Sequence, residues 1–297
     1  MPAVSGGWLI SSRDVTVAFD IGAELGEGAL WDWRHDQLVS VDIPAGRVLV
    51  SHPRGGSTRS FDVGQPVGAA MLRGEHDLLL AVRDGFATLD LETGVVEPLV
   101  AVEADKPANR MNDAACDARG RCFAGTMATD DTPGAGTLYR LDDDLSVHTV
   151  LAGLTISNGL GWSPAGDVMY HIDSKAGGID AHDFDAHSGA LSGRRRLADT
   201  DPSWGLPDGL AMDAEGGIWV AFWDGSAVRR FAPDGELTET LELPAARPTR
   251  PAFGGADLDQ LYVTSAKLAQ AVDGDLGGDI FVLEPGVRGV RANVFAG

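Results

Sequence analysis

The chain has 297 residues, enough for one large all-β domain or two average ones, and a hydrophobic content of 44% supports a packed core. Its formal charge of −21 disfavours nucleic acid and anionic membrane as partners, since both need cationic surface, and fits a soluble cytoplasmic protein or one that attracts cations. No apolar run approaches the ~20 residues of a membrane span, and two cysteines, Cys116 and Cys122, give no disulfide framework and read as reduced core or strand residues.

The N-terminal stretch MPAVSGGWLISSRD (1–14) has no basic segment and only a three-residue apolar stretch, so it does not read as a signal peptide. From there one pattern recurs: a short apolar strand, a polar turn with Gly or Asp, and a second strand rich in Val, Tyr, Trp or Phe. It appears as GALWDWRHDQLVSVDI (28–43), GAAMLRGEHDLLLAVRDGFATLDL (68–91) and NDAACDARGRCFAGTM (112–127). It returns as NGLGWSPAGDVMYHID (158–173), DGLAMDAEGGIWVAFWDGSAVRRF (208–231) and PAFGGADLDQLYVTSA (251–266). The six starts lie 40, 44, 46, 50 and 43 residues apart. Further strands follow most units, as in GRVLVSHP (46–53), GTLYRLDDD (136–144), SVHTVL (146–151) and VRRFAPDGELTETLEL (228–243). A repeat of ~40–50 residues with about four short strands is a propeller blade. The expectation is an all-β, six-bladed β-propeller occupying 1–297 as one domain. A closed ring needs a clasp to cover its first and last edges; DVTVAF (14–19) or GGDIFVLEPG (277–286) would supply it.

In a propeller the first strand of each blade lines the central channel, and the residue before it sits at one mouth. The repeat places Glu27, Gly68, Asn112-Asp113, Asn158, Asp208 and, less clearly, Arg250 there. Asn158-Gly159 is also a strong hairpin dipeptide, and Asp208-Gly209 is one of five Asp-Gly pairs, so each admits a plain turn reading. The shared register points the other way. Two carboxylates and an amide oxygen converging on one axis would repel and desolvate poorly without a cation between them. Oxygen-only ligation suits calcium, magnesium or manganese, with zinc less readily accommodated.

Four stretches resemble the senescence-marker-protein-30, or regucalcin/gluconolactonase, family: LGEGALWD (25–32), NRMNDAACDARGRCFAGTM (109–127), SNGLGWSPAGDVMYHIDS (157–174) and PDGLAMDAEGGIWVAFWDG (207–225). A fifth, RPTRPAFGGADLDQLYVTSA (247–266), resembles that family's last-blade signature. The resemblance implies that Glu27, Asn158 and Asp208 bind one divalent metal ion and that Arg110 and Asn112 contact the substrate. It places Asp130 where many members carry a second substrate-contacting acid; the surrounding GTMATDDTPG loop departs from the family.

The expected activity is metal-dependent opening of a small-molecule sugar lactone to its aldonic acid. Asp208 would be ligand and general base, and Arg110 would bond sugar hydroxyls or the developing oxyanion. Arg110 also admits a surface salt bridge to Glu103 or Asp105, and Asn112 a turn role. No GxSxG, HExxH or GxxxxGK pattern occurs. His182 and His187 read as solvated hairpin residues, His171 as a strand residue facing channel or sheet, and Trp204 as a wall of the substrate site. The rival classes are a calcium-binding regulatory propeller, a phosphotriesterase-like hydrolase and a non-catalytic interaction propeller. Trp31-Asp32 and Trp223-Asp224 fall at different points in their blades, which argues against the last.

Overall fold

In a computed structural model, which describes residues 14–267, 270 and 272–297, the chain forms six antiparallel sheets arranged as a β-propeller. The first 13 residues, including most of the N-terminal stretch read above, lie outside the described residues. Among the described residues no helix is long and apolar enough to cross a membrane.

Each sheet has four antiparallel strands, blade 2 gains a fifth from the C-terminal tail, and the innermost strand of each faces the axis. These inner strands are Gly26–Asp32, Val67–Arg73, Asn109–Cys116, Ser157–Trp162, Leu206–Met212 and Arg247–Gly254. Each packs against the next, and the sixth returns to the first, so they form a closed ring. The remaining strands spread outward and alternate buried with exposed residues as the edge is reached. Ser57–Asp62, the outer strand of blade 1, is exposed at five of its six positions.

The apolar core is divided among the six interfaces between blades. Val39, Val48 and Val50 of blade 1 meet Leu72, Leu78 and Leu80 of blade 2. At the seam, Trp31 and Leu38 of blade 1 meet Tyr262 and Ile280 of blade 6, with Trp31 stacked on Tyr262 at 5.6 Å. A sheet buried on both faces must be apolar on both, which is why second strands such as Asp77–Val82 (DLLLAV) and Ile218–Trp223 (IWVAFW) read as nearly continuous apolar runs rather than alternations.

Both expected clasp segments take part in closure. Ile280–Leu283 is the third strand of blade 6, and Thr16–Phe19 pairs antiparallel with it as the outer strand, with Thr16 opposite Val282. A second clasp carried no repeat signal. Val294–Phe295 pairs parallel with the inner strand of blade 2, and Phe295 is buried between blades 2 and 3. The tail before it crosses the far mouth of the channel. Ala214 N donates to Arg288 O (2.8 Å), Trp33 Nε1 to Ala292 O (3.0 Å) and Asn293 Nδ2 to Cys116 O (3.0 Å).

Cys116 and Cys122 are buried, free and opposite one another on adjacent strands of blade 3. His182 corrects the solvated reading: it is buried on Gly178–Asp185, while His187 is exposed in the following turn. The 2-residue strand period places His182 inward, and desolvation lowers its pKa.

Candidate metal and substrate site

All six inner strands carry a β-bulge near their start. Pairing slips between Glu27 and Leu30, Val67 and Ala69, Met111 and Ala114, Asn158 and Leu160, Pro207 and Leu210, and Pro248 and Pro251. A bulge bends its strand and re-aims one side chain. Here the repeated bulge turns Glu27, Asn158 and Asp208 into a shared cavity of about 270 Å³ together with Arg110 and Asn112.

The Asn158-Gly159 and Asp208-Gly209 pairs are therefore not hairpin turns. Both residues of the first pair lie within Ser157–Trp162, and both of the second within Leu206–Met212. The glycines permit close approach of neighbouring blades. A Cβ at Gly159 would sit 2.7 Å from Asp208 O, and one at Gly209 would sit 2.8 Å from Thr249 O.

The cavity's acids are buried, and burial disfavours their charged forms. Desolvation pushes Glu27 up to about 7, against the amide of Gly28 and the charges of Arg250 and Arg110. Desolvation and the neighbouring Glu27 charge push Asp208 well above the ordinary carboxylate range. Asn158 Nδ2 donates to Asp208 Oδ1 and, at 3.2 Å, to Ser174 Oγ, while Asn158 Oδ1 accepts from Gly159 N at 3.2 Å. Asn158 thus offers Asp208 the partial positive charge that a cation would offer in full.

Acids elsewhere in the fold behave differently. Asp32 and Asp213 sit at the far-mouth ends of two inner strands, where burial is outweighed by donors. Arg34, His35 and Gln37 serve Asp32; Arg230, Trp219 and the Gly217 amide serve Asp213. Both pKa values are held below the usual carboxylate value. The amide donors to Glu27 and Asp208 and the arginine charges near them do not outweigh burial, which marks the two acids as a site rather than a scaffold. Among the described residues no three His, Cys, Asp or Glu side chains gather into a metal cluster. The group at this mouth is two carboxylates and an amide, a donor set suited to a hard divalent cation.

Arg110 is directed into the cavity and pairs with neither Glu103 nor Asp105. Its Nη1 donates to Asn112 Oδ1 (2.8 Å) and Met111 O (3.0 Å), and Asn112 Nδ2 donates to Ser157 O (3.0 Å). Asn112 therefore ties Arg110 to the fourth blade. Glu103 is held separately by Lys106, Asn109 and Tyr139. Desolvation lowers the Arg110 pKa, and the nearby Glu27, Asp131 and Asp208 charges oppose this.

The structure does not bring Asp130 to this cavity. Asp130 is exposed and accepts from Thr132 N (3.1 Å) and Thr132 Oγ1 (2.6 Å). Asp131, whose φ of 57° turns the chain, lines the cavity instead and lies 3.3 Å from Lys175 Nζ. Trp204 also lies elsewhere: it packs on Phe222 and Arg229, and Trp223 lines the cavity in its place. The sequence marked Asp131 no more strongly than Asp130, and nothing marked Lys175. His171 faces the sheet interior, bonds Ser157 Oγ at 3.0 Å, and is held neutral by burial, its pKa lowered to about 3.

Gly68, the blade 2 counterpart, offers no side chain. Arg250 of blade 6 reaches across the channel, where its Nη1 donates to Asp113 Oδ1 of blade 3 and to Ala114 O (3.1 Å). This buried pair lies between the site and a larger cavity at the far mouth, which Arg250 lines.

Comparison with known proteins places this geometry. Residues 25–267 match the model of the SMP-30/Gluconolactonase/LRE-like region. The chain is 36% identical to regucalcin of Xenopus laevis over 287 residues, covering 92% of this chain and 95% of that protein. A crystal structure of regucalcin from Agrobacterium tumefaciens, described as a calcium-binding protein, superposes with a TM-score of 0.91 at 29% identity, covering 95% of this chain and 97% of the other. A luciferin-regenerating enzyme superposes with a TM-score of 0.89 at 30% identity, covering 95% and 99%. The match over residues 25–267, with relatives above 30% identical along nearly the whole chain, shows that this protein belongs to the SMP-30/gluconolactonase/LRE-like family.

Proposed function

We propose that the chain is a divalent-metal-dependent hydrolase that opens a sugar lactone to its aldonic acid. The observation that carries this reading is the pairing of two buried carboxylates, Glu27 and Asp208, whose charged forms burial disfavours, in one cavity with Asn158 and Arg110. The residues fit a cation, because it would relieve the repulsion and desolvation that push both acids up. Glu27, Asn158 and Asp208 would hold it. When bound, it would act as a Lewis acid on the lactone carbonyl and make a water molecule more acidic.

Asp208 is the general base that takes a proton from the attacking water. The Arg110 guanidinium donates to the ring hydroxyls or to the oxygen on which charge develops. Asn112 positions Arg110 through the 2.8 Å bond. Met127, Ile156, Leu206 and Trp223 wall the cavity and thin the water around the reacting carbonyl. Asp131 and Lys175 stand at its rim, where they would meet the distal hydroxyls of a sugar ring.

A pH-indicator assay over gluconolactone, xylonolactone, arabinolactone and galactonolactone tests the reading, with chelator and with calcium, manganese, magnesium or zinc restored. Acid release that depends on added metal supports it; no acid release from any lactone with any metal overturns it. The regucalcin relatives favour a second reading, a calcium-binding regulator using the same three donors. Tight calcium binding without lactone turnover would select it.

A further inference from the structure

A second cavity, about 400 Å³ and larger than the first, lies at the other mouth of the channel. Trp31, Met71, Leu160, Leu210, Met212 and Phe253 form its apolar walls, and the C-terminal tail at 290–293 forms one side. Its inner end is Arg250, which is 8% exposed and has a buried Nε with no hydrogen-bond partner. The indole Nε1 of Trp162, another lining residue, is likewise buried without a partner. Both nitrogens lie behind the cavity surface, so the charged groups that a ligand meets are those at the opening.

The charge at this mouth is also unbalanced. The Arg250 charge is matched by Asp113, and the Arg121 charge by Asp117. Arg119 and Arg291 also line the cavity, are exposed, and form no ion pair with a carboxylate among the described residues. Arg291 lies over the Trp33 ring at 5.0 Å. Two unpaired guanidinium groups at one opening stand out on a chain of net charge −21.

We propose that this far-mouth cavity is a second binding site, for a small organic anion with an apolar body: a carboxylate or sulfonate on a ring or short chain. The apolar part lies against the walls, and the anionic head meets Arg119 and Arg291 at the opening. The volume falls within the range of about 300–1,000 Å³ usual for small-molecule sites. The site is independent of the lactonase reading, because the two cavities share no lining residue.

Titration calorimetry on the full chain with 2-naphthoate, and with 2-naphthol as its uncharged twin, tests the proposal. The expected result is one naphthoate per chain, with naphthol at least about tenfold weaker. The double variant Arg119→Ala/Arg291→Ala should lose about tenfold in naphthoate affinity. Ala211→Trp, which adds bulk to a wall residue, should abolish binding. Asp208→Ala and added gluconolactone should leave it unchanged. Absence of binding, equal affinity for the two probes, or displacement by gluconolactone would overturn the proposal. Should Ala211→Trp fail to fold, as judged by circular dichroism, the double arginine variant decides, since both its sites are exposed: undiminished naphthoate affinity there also overturns it.

Discussion

Asn158 on blade 4 donates its amide N–H to the carboxylate of Asp208 on blade 5, fifty residues away in the chain. Both side chains project from bulges at the same register of neighbouring blades, so one hydrogen bond reports that two blades are correctly docked. Replacing Asn158 with Ala removes this donor and a candidate metal ligand together. Calorimetric titration with manganese should show affinity reduced about 10–100-fold. Unfolding in chelator should show a loss of about 1–3 kcal/mol, because Asp208 is left buried without its amide partner.

The metal-free protein should lose stability as pH rises from 4.5 toward about 7. Glu27 has an ordinary value of 4.5 and a folded value of about 7, so the folded chain holds a proton that the unfolded chain releases. That contribution is complete below pH 4.5 and is lost as pH approaches about 7. Its size is on the order of 3 kcal/mol. Urea unfolding in chelator, compared between wild type and Glu27→Gln, should show a shallower pH dependence in the variant across this window. Added metal should reverse the trend, because protons and cation compete for the same carboxylates.

His171 acts with the opposite sign. Burial lowers its pKa from 6.5 to about 3, so the unfolded chain binds the proton that the folded chain refuses. Its contribution is present above pH 6.5 and falls as pH drops toward about 3. His171→Gln, which can keep a bond to Ser157 Oγ, should resist acid better than wild type between these limits, as followed by tryptophan fluorescence. A parallel loss in both proteins would remove His171 from the account.

Removing one member of the Arg250–Asp113 pair should cost about 3–5 kcal/mol, since the other charge remains buried and alone. Arg250→Met and Asp113→Leu should each lower the thermal midpoint. The double variant should recover most of the loss, a strong coupling in a double-mutant cycle. Simple additivity would show that the two side chains do not meet.

The glycines make a sharper steric prediction. Gly209→Ala would place a Cβ 2.8 Å from Thr249 O and from the Arg250 side chain. Overpacking of this kind costs about 1–3 kcal/mol. It should also weaken metal binding, because Asp208 precedes the displaced backbone. Gly166→Ala provides the comparison: a φ of 73° strains it although a Cβ would meet nothing within 4 Å, and it lines the far-mouth cavity rather than the metal site, so it should lose stability without losing metal affinity.

The sequence carried the blade count and the axial register because a strand repeat imposes one spacing on both. Glu27, Asn158 and Asp208 could be aligned before any coordinates, and the structure places them in one cavity. The Asn-Gly and Asp-Gly pairs misled toward turns, because glycine serves tight turns and close backbone approach alike. Which of Asp130 and Asp131 faces inward depends on a single left-handed residue in a loop, and a repeat does not reach into loops. The parallel clasp at Val294–Phe295 is two residues long, too short to leave a pattern. Arg250 was legible as an axial residue, but its partner Asp113 emerges only when opposite blades are brought across the channel.

The most direct test is anomalous diffraction from a crystal soaked in manganese. One strong peak is expected within roughly 2.0–2.6 Å of oxygens from Glu27, Asn158 and Asp208. An absent peak, or a peak bound by other residues, would contradict the metal site on which the proposed chemistry depends.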